Sequence, residues 1–508
     1  MFNQLITRLH VPLFSHLLIL GMICVYALLR LGFFSGLSGD EAEQVLFAQS
    51  FQWGYDYANP PLYTWMVIAL FSIVGKTAGV VVGFKLAVLT CLYFAMHQVA
   101  RVCLGDGRRF DWSLVTLSPV LLFFVSWQAI FSYSHSLLNA LFVIVTFLVV
   151  VKLIRTGQIV WYVALGVCIG LGLQTKYAFA MFLLALLGAA LTLPDHRRHI
   201  LDKHTLLSLA IAVVLFAPHG IWLLTSLQEL QAAIAYKLEI GKDVTYIEGL
   251  ALGMQAFLKA LIGFASPLWL VLLLVFPAAL FKPTPSSTAQ DVDRLLGRTF
   301  LGVLVMMVAM VLGGVTQFRP NYLFLLILLP VWVFARLPVT PAPDKRRKIY
   351  AAIVVLGCVL SAGGLTAKAV TDPMRCDKCQ VFMPYEAIAT ELKKRGFTHG
   401  SILAHWYPNP LAGNLLLYLD NTRMVSTKFP TLVPPQDELD GQCLLVTISQ
   451  TQGGSDMHNM SARANEAYAL DVGKDYPFTQ FAVPYVHKPE KQVLIDYAIV
   501  DPGVSDCR

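Results

Sequence analysis

The sequence predicts a polytopic α-helical membrane protein with a small soluble α/β domain at its C-terminal end, and three observations carry that expectation. Hydrophobic residues make up 56% of the 508 positions and charged residues 14%, with a mean hydropathy of +0.64. Soluble domains run at about a quarter charged, so this composition excludes an ordinary soluble enzyme. The apolar residues gather into about eleven stretches near the length that crosses a bilayer. From about residue 369 the long apolar runs stop and charge returns.

Taken in order, the spans are expected near 11–33, 79–100, 112–131, 137–154, 159–175, 177–193, 205–225, 254–281, 299–317, 320–337 and 349–368. The first is long enough to span and lacks a small-residue cleavage pattern, so no cleavable signal peptide is expected. The shorter stretch 61–75 opens on paired prolines and reads as an interfacial or partly inserted helix. Basic residues collect in alternate loops: Arg101, Arg108 and Arg109; Lys152 and Arg155; Arg197, Arg198 and Lys203; Arg294 and Arg298; and Arg336 with Lys345 to Lys348. By the positive-inside rule these loops and the N-terminus face the cytoplasm. The loop around Asp40 (34–78), the 226–253 loop and the tail then face outward. The net charge of +7 comes from these short clusters rather than a continuous basic patch, so no nucleic-acid partner is expected.

The tail, 369–508, shows β-type runs at 401–406, 443–448 and 493–500, and a helix over 385–395 that stops at Gly396. Cys376, Cys379, Cys443 and Cys507 lie in this outer segment. Disulfides are the favoured reading in an oxidising compartment, their pairing open, with half a zinc site at Cys376 and Cys379 the alternative. The other five cysteines sit in or beside spans as small apolar groups.

Chemistry is most legible where the first span ends, at Ser38-Gly39-Asp40-Glu41-Ala42-Glu43. Ser38 and Glu41 have the spacing of a capping box, which accounts for Glu41 structurally. Asp40 is left to point elsewhere, in the positive end of the helix dipole, which suits a charged carboxylate. Such a group at a membrane surface can accept a proton from an alcohol or bind a metal ion.

Further on come Trp53-Gly54-Tyr55-Asp56-Tyr57-Ala58-Asn59-Pro60-Pro61-Leu62-Tyr63, then Gly170-Leu171-Gly172-Leu173-Gln174-Thr175-Lys176-Tyr177, then Arg319-Pro320-Asn321-Tyr322. Each is weak alone, but in this order and topology they resemble the GT-C membrane glycosyltransferases. These include the bacterial members related to protein O-mannosyltransferases and to lipid A aminoarabinose transferases. The likeness covers about 11–340, and a small outer C-terminal domain is usual there.

The resemblance implies an inverting transfer of a sugar from a polyprenyl-phosphate donor to an envelope acceptor at the periplasmic face of a bacterial inner membrane. A lipid-borne glycan such as lipid A or lipopolysaccharide core is the expected acceptor. By position Asp40 is the general base, with Glu41 in support, while Lys176, Arg319 and Tyr322 hold the donor phosphate. Relatives usually carry His or Lys where this chain has Asn59, so neutralisation falls on Lys176 and Arg319, or on a divalent metal at Asp40 or Glu41. Tyr57, Tyr63, His135 and Lys85 are further candidates for donor or acceptor contacts; a hydrogen-bonded structural role is the plainer reading of His135. Snorkelling to the interface is the bland alternative for Lys176 and Arg319. No other cofactor is expected, and a monomer is the default. Transporters of polyprenyl-linked sugars also combine apolar spans with buried charge, but no self-similar halves are visible. A receptor or scaffold leaves the Asp40 and double-proline elements unexplained, and a protein O-glycosyltransferase of the same fold is the remaining alternative.

Overall fold

The computed structural model describes residues 6–500 apart from 7, 58, 226, 240–243, 319–322, 341, 376–378, 405–409, 426–431, 433–440, 450–461 and 463–476. The principal helices in chain order are α1 (Pro12–Gly32), α2 (Gly39–Phe47), α3 (Leu62–Val74), α4 (Ala78–Leu104), α5 (Arg109–Leu117), α6 (Ser134–Thr156), α7 (Ile159–Leu173), α8 (Phe179–Leu191), α9 (Pro194–Ile200), α10 (Thr205–Leu224), α11 (Leu227–Leu238), α12 (Tyr246–Ala265), α13 (Leu268–Val275), α14 (Ser287–Leu312), α15 (Leu329–Ala335), α16 (Lys345–Arg375), α17 (Tyr385–Lys394) and α18 (Pro410–Leu415).

Among the described residues, seven helices (α1, α4, α6, α10, α12, α14 and α16) are long and apolar enough to cross a membrane, and the bent pair α8 and α9 raises this to as many as eight. The protein is therefore the multi-pass helical membrane protein that its composition predicts. Other expected spans are shorter or broken. The stretch 112–131 passes from α5 into a 3-10 turn at Ser118–Leu121, extends at Leu122, and resumes as a π turn at Phe124–Gln128. Pro119 sits at the break, where its ring and missing N–H stop a regular helix. The 226–253 stretch, expected as an outer loop, contains α11 and the first turns of α12, which opens on a capping box between Thr245 and Glu248.

The described residues fall into two compact units, one of 1–25, 57–62 and 86–363, the other of 26–56, 63–85 and 364–508. In the first, α7 lies flush on α10. A Cβ on Gly166 would stand 2.6 Å from the Ser208 carbonyl, and one on Gly170 would stand 2.7 Å from Leu215 Cβ. Small residues four apart let two backbones meet in a membrane where the hydrophobic effect cannot drive helices together. Elsewhere in this unit, Asp111 accepts from Arg108 Nε and Arg347 Nε, both at 2.8 Å. Arg108 also caps the Phe334 carbonyl, so the buried cluster joins α5, α15 and α16.

The second unit carries a five-stranded sheet of β1 (Gly400–Ala404), β2 (Thr422–Val425), β3 (Gln442–Ile448), β4 (Thr479–Tyr485) and β5 (Lys488–Val500), in the order β2-β1-β3-β5-β4. β1 pairs in parallel with β2 and β3, and β5 pairs antiparallel with β3 and β4. Burial follows: every residue of β1 is buried, whereas the edge strand β4 alternates. The expected strands at 401–406, 443–448 and 493–500 correspond to β1, β3 and β5. β2 and β4 went unexpected, one too short and the other carrying Pro484. α17 ends where expected, with Gly396 at φ 105° just beyond it. Cys379 and Cys443 are each in a disulfide, as the outer-compartment reading favoured; Cys376 and Cys507 lie outside the described residues.

Candidate active site

The candidate residues fall in both units. In the second unit, Ser38 is extended and caps α2, whose third residue, Glu41, closes the box. Glu41 Oε2 accepts from the Ser38 N–H (3.0 Å), from Ser38 Oγ (3.1 Å) and from Arg30 Nη2 (2.6 Å). Its Oε1 lies 3.1 Å from Lys85 Nζ. Arg30, Glu41 and Lys85 are all essentially without solvent exposure. Burial alone would push the Glu41 carboxyl up; the Arg30 and Lys85 charges and the Ser38 amide outweigh it and hold the group below the usual carboxylate range.

Asp40, one residue earlier in the first turn of α2, stays half-exposed, and its charge also acts on Lys85. The two carboxylates thus differ: Glu41 is fully buried between cations, and Asp40 is partly exposed. A divalent ion held jointly by Asp40 and Glu41 does not fit, because two buried cations already occupy the Glu41 carboxylate and would repel a third. Among the described residues no group of three or more His, Cys, Asp or Glu side chains is gathered to hold a metal.

α2 is braced by a fully buried bond from Thr64 Oγ1 on α3 to Gln44 Oε1, 2.8 Å. Tyr63, its neighbour, is fully buried with its ring 4.9 Å from Phe84. The connecting loop is tight: Tyr55 hydroxyl donates to the Ser50 carbonyl and accepts from the Gln52 amide. Burial pushes that phenol up to about 12, opposed by the Gln52 amide.

In the first unit, Lys176 Nζ donates to Ser136 Oγ at 2.8 Å. The segment before it is fixed residue by residue. Gln174 Nε2 donates to the Gly170 and Leu215 carbonyls, and Thr175 Oγ1 to Asn139 Oδ1 and the Gly172 carbonyl. The Leu62 amide donates to the Gln174 carbonyl at 3.1 Å, which brings the Asn59-Pro60-Pro61 element and the Lys176 element together. Beyond Lys176 the Tyr177 hydroxyl is 3.2 Å from His219 Nε2, and rings follow in near-parallel order: Tyr177, His219, Trp222 and Tyr57. Asn59 is half-buried and His135 is 7% exposed, in the first turn of α6 beside Ser136. That turn follows Tyr133 at φ 62°, a left-handed conformation that costs a non-glycine residue about 1–2 kcal/mol. Arg319 and Tyr322 lie outside the described residues.

Sequence reasoning passed over Arg30, Ser136, His219 and Trp222. Arg30 had a readable signal, since a lone cation in the last turn of an apolar helix needs a partner. Lys85, expected among donor or acceptor contacts, pairs with Glu41. Chemically, the second unit offers a partly exposed carboxylate on a capped helix, and the first unit a primary ammonium oriented by a serine and able to hold an anion.

A family model described as dolichyl-phosphate-mannose-protein mannosyltransferase matches residues 58–222. The fold matches ArnT from Cupriavidus metallidurans, solved bound to undecaprenyl phosphate and in the apo state. Each comparison has a TM-score of 0.60 and 12% identity, over 94% of this chain and 97% of that one. The class the chain resembles is the bacterial GT-C-fold membrane glycosyltransferase. Within it, the chain is 27% identical over 485 residues to the lipopolysaccharide core galacturonosyltransferase RgtB of Rhizobium johnstonii, covering 91% of this chain and 94% of the relative. It is also 27% identical over 451 residues to RgtA of the same organism, covering 85% of each.

Proposed function

We propose that this protein moves a sugar from a polyprenyl-phosphate carrier to lipopolysaccharide core at the periplasmic face of the inner membrane, with galacturonate as the sugar. The observation that carries the reading is the end-to-end likeness to two lipopolysaccharide core galacturonosyltransferases. The undecaprenyl phosphate held by the structural neighbour supports the carrier.

In this reading Asp40 takes the proton from the acceptor hydroxyl, whose oxygen attacks the anomeric carbon from the face opposite the phosphate. The bond from that carbon to the phosphate oxygen breaks, its electron pair stays on the carrier phosphate, and configuration inverts. The phosphate passes from one negative charge to two, and Lys176 meets the growing charge, its ammonium aimed by Ser136. Arg319 and Tyr322 are assigned to the same phosphate, and Asn59 contributes a neutral donor. Tyr57 and His135 are assigned to donor or acceptor contacts, and Glu41 fixes the start of α2. The N-terminus is assigned to the cytoplasm, 369–508 to the periplasm as a soluble domain, and the active unit to a monomer.

Purified protein given labelled polyprenyl-phosphate galacturonate and lipopolysaccharide core should move label into lipid, and Asp40→Asn should not. Label appearing in protein instead would transfer the reading to a protein glycosyltransferase.

A further inference from the structure

α2 is only nine residues long, and Asp40 is its second residue. What sets the height and tilt of so short a helix is a question for its surroundings. Phe34, Ser35, Gly36 and Leu37 of the segment leading into it line a cavity of about 810 Å³ together with Pro384 and Tyr385. Phe34, Gly36 and Leu37 are buried there, and a Cβ on Gly36 would stand 2.3 Å from the Tyr385 ring.

The tail domain also holds the backbone of this segment by hydrogen bonds. Asn414 on α18 reads both backbone groups of Leu37, the residue before the cap. The Leu37 N–H donates to Asn414 Oδ1 at 2.8 Å, and Asn414 Nδ2 donates to the Leu37 carbonyl at 3.1 Å. A third bond, Nδ2 to the Pro410 carbonyl at 2.7 Å, fixes the amide, which is 1% exposed. At the far end the arrangement is mirrored with the donor side exchanged: the Met424 N–H donates to Gln49 Oε1 at 2.6 Å, and Gln49 Nε2 donates to the Leu46 carbonyl. Between the two, Gly413 lies so close that a Cβ would stand 2.1 Å from the Ala42 carbonyl oxygen. Two further bonds, Ser35 Oγ to the Met383 carbonyl and the Gly36 amide to the Val381 carbonyl, extend the same contact.

We propose that Asn414 is a positioning residue for the transfer reaction: through Leu37 and Ser38 it sets where α2 presents Asp40, so that the tail domain is part of the catalytic scaffold. The inference rests on Asp40 being the base, and a misplacement of about 1 Å is enough to cost on the order of 100-fold in rate.

The test compares full-length wild type with Asn414→Leu, Gln49→Leu and Asp40→Asn, and with Val446→Ala, which trims the fully buried sheet core in β3. Four quantities are read: kcat and donor KM, the stoichiometry of polyprenyl-phosphate binding, the melting temperature, and hydrogen exchange over residues 38–47. Asn414→Leu is expected to lose on the order of 100-fold in kcat per binding site, at unchanged donor KM, with faster exchange across 38–47. Val446→Ala, at an equal or larger loss of melting temperature, is expected to keep kcat per site and protection. Unchanged kcat and exchange in Asn414→Leu, or an equal effect in Val446→Ala, overturns the proposal. Should Asn414→Leu not fold, Gln49→Leu carries the same expectations. An active Asp40→Asn overturns the base assignment and with it the inference that rests on it; an inactive Asp40→Asn beside an unaffected Asn414→Leu overturns the positioning alone. The exchange readout needs no substrate.

Discussion

Glu41 Oε2 accepts a hydrogen bond from Arg30 Nη2 at 2.6 Å, with neither side chain reaching solvent. Together with Lys85 on the other carboxylate oxygen, this makes Glu41 the shared counter-ion of two buried cations. Glu41→Gln removes that counter-ion and leaves both cations buried. The expected cost is about 3–5 kcal/mol of stability, read as a lower melting temperature in detergent or lipid nanodiscs, and Lys85→Met in the same background should recover part of it.

The same pair sets an acid limb. The folded protein holds Glu41 below its ordinary value of 4.5, so it binds fewer protons than the unfolded chain. Stability from this group is complete above that value and is lost as pH falls through the depressed one. Melting temperature should decline on acidification below about pH 4.5, and Glu41→Gln should remove that part of the slope. An unaltered slope in the variant would contradict the assignment.

Much of this was legible locally and little of it at a distance. Ser38 and Glu41 are three residues apart, so their capping relation is written in the sequence, and Asp40 followed as the carboxylate left over. Gly396 ended α17 for the same kind of local reason. That Lys85 turns to Glu41, or Asn414 to Leu37, depends on tertiary proximity that no window displays. The broken stretch 112–131 looked like a span because hydropathy averages over Pro119 and the extended Leu122.

Lys176 and Ser136 give a graded prediction. Lys176→Ala should reduce kcat by about 100- to 1000-fold if the ammonium meets charge that grows during bond breaking. Ser136→Ala leaves the ammonium present but less oriented and should cost less than Lys176→Ala, mainly in kcat. A Lys176→Ala enzyme with wild-type kcat and only raised donor KM would make the residue a binder of the ground state.

The helix contact behind the Lys176 segment is testable without substrate. Gly170→Ala places a methyl group against Leu215 and the Ala212 carbonyl, and overpacking of this kind costs about 1–3 kcal/mol. Gly188→Ala, where a Cβ meets nothing within 4 Å, should be neutral or stabilising. Melting temperatures of the two variants decide it.

The central claim is best tested by one measurement: transfer of labelled galacturonate from polyprenyl phosphate to lipopolysaccharide core by the purified protein, beside Asp40→Asn. Label moving to the lipid with wild type, and lost at least 1000-fold in the variant at unchanged carrier binding, is the predicted result; the figure is the order expected when proton transfer and its positioning both fail. Equal transfer by wild type and Asp40→Asn would contradict the account, as would carrier binding by the wild type with no transfer to any acceptor.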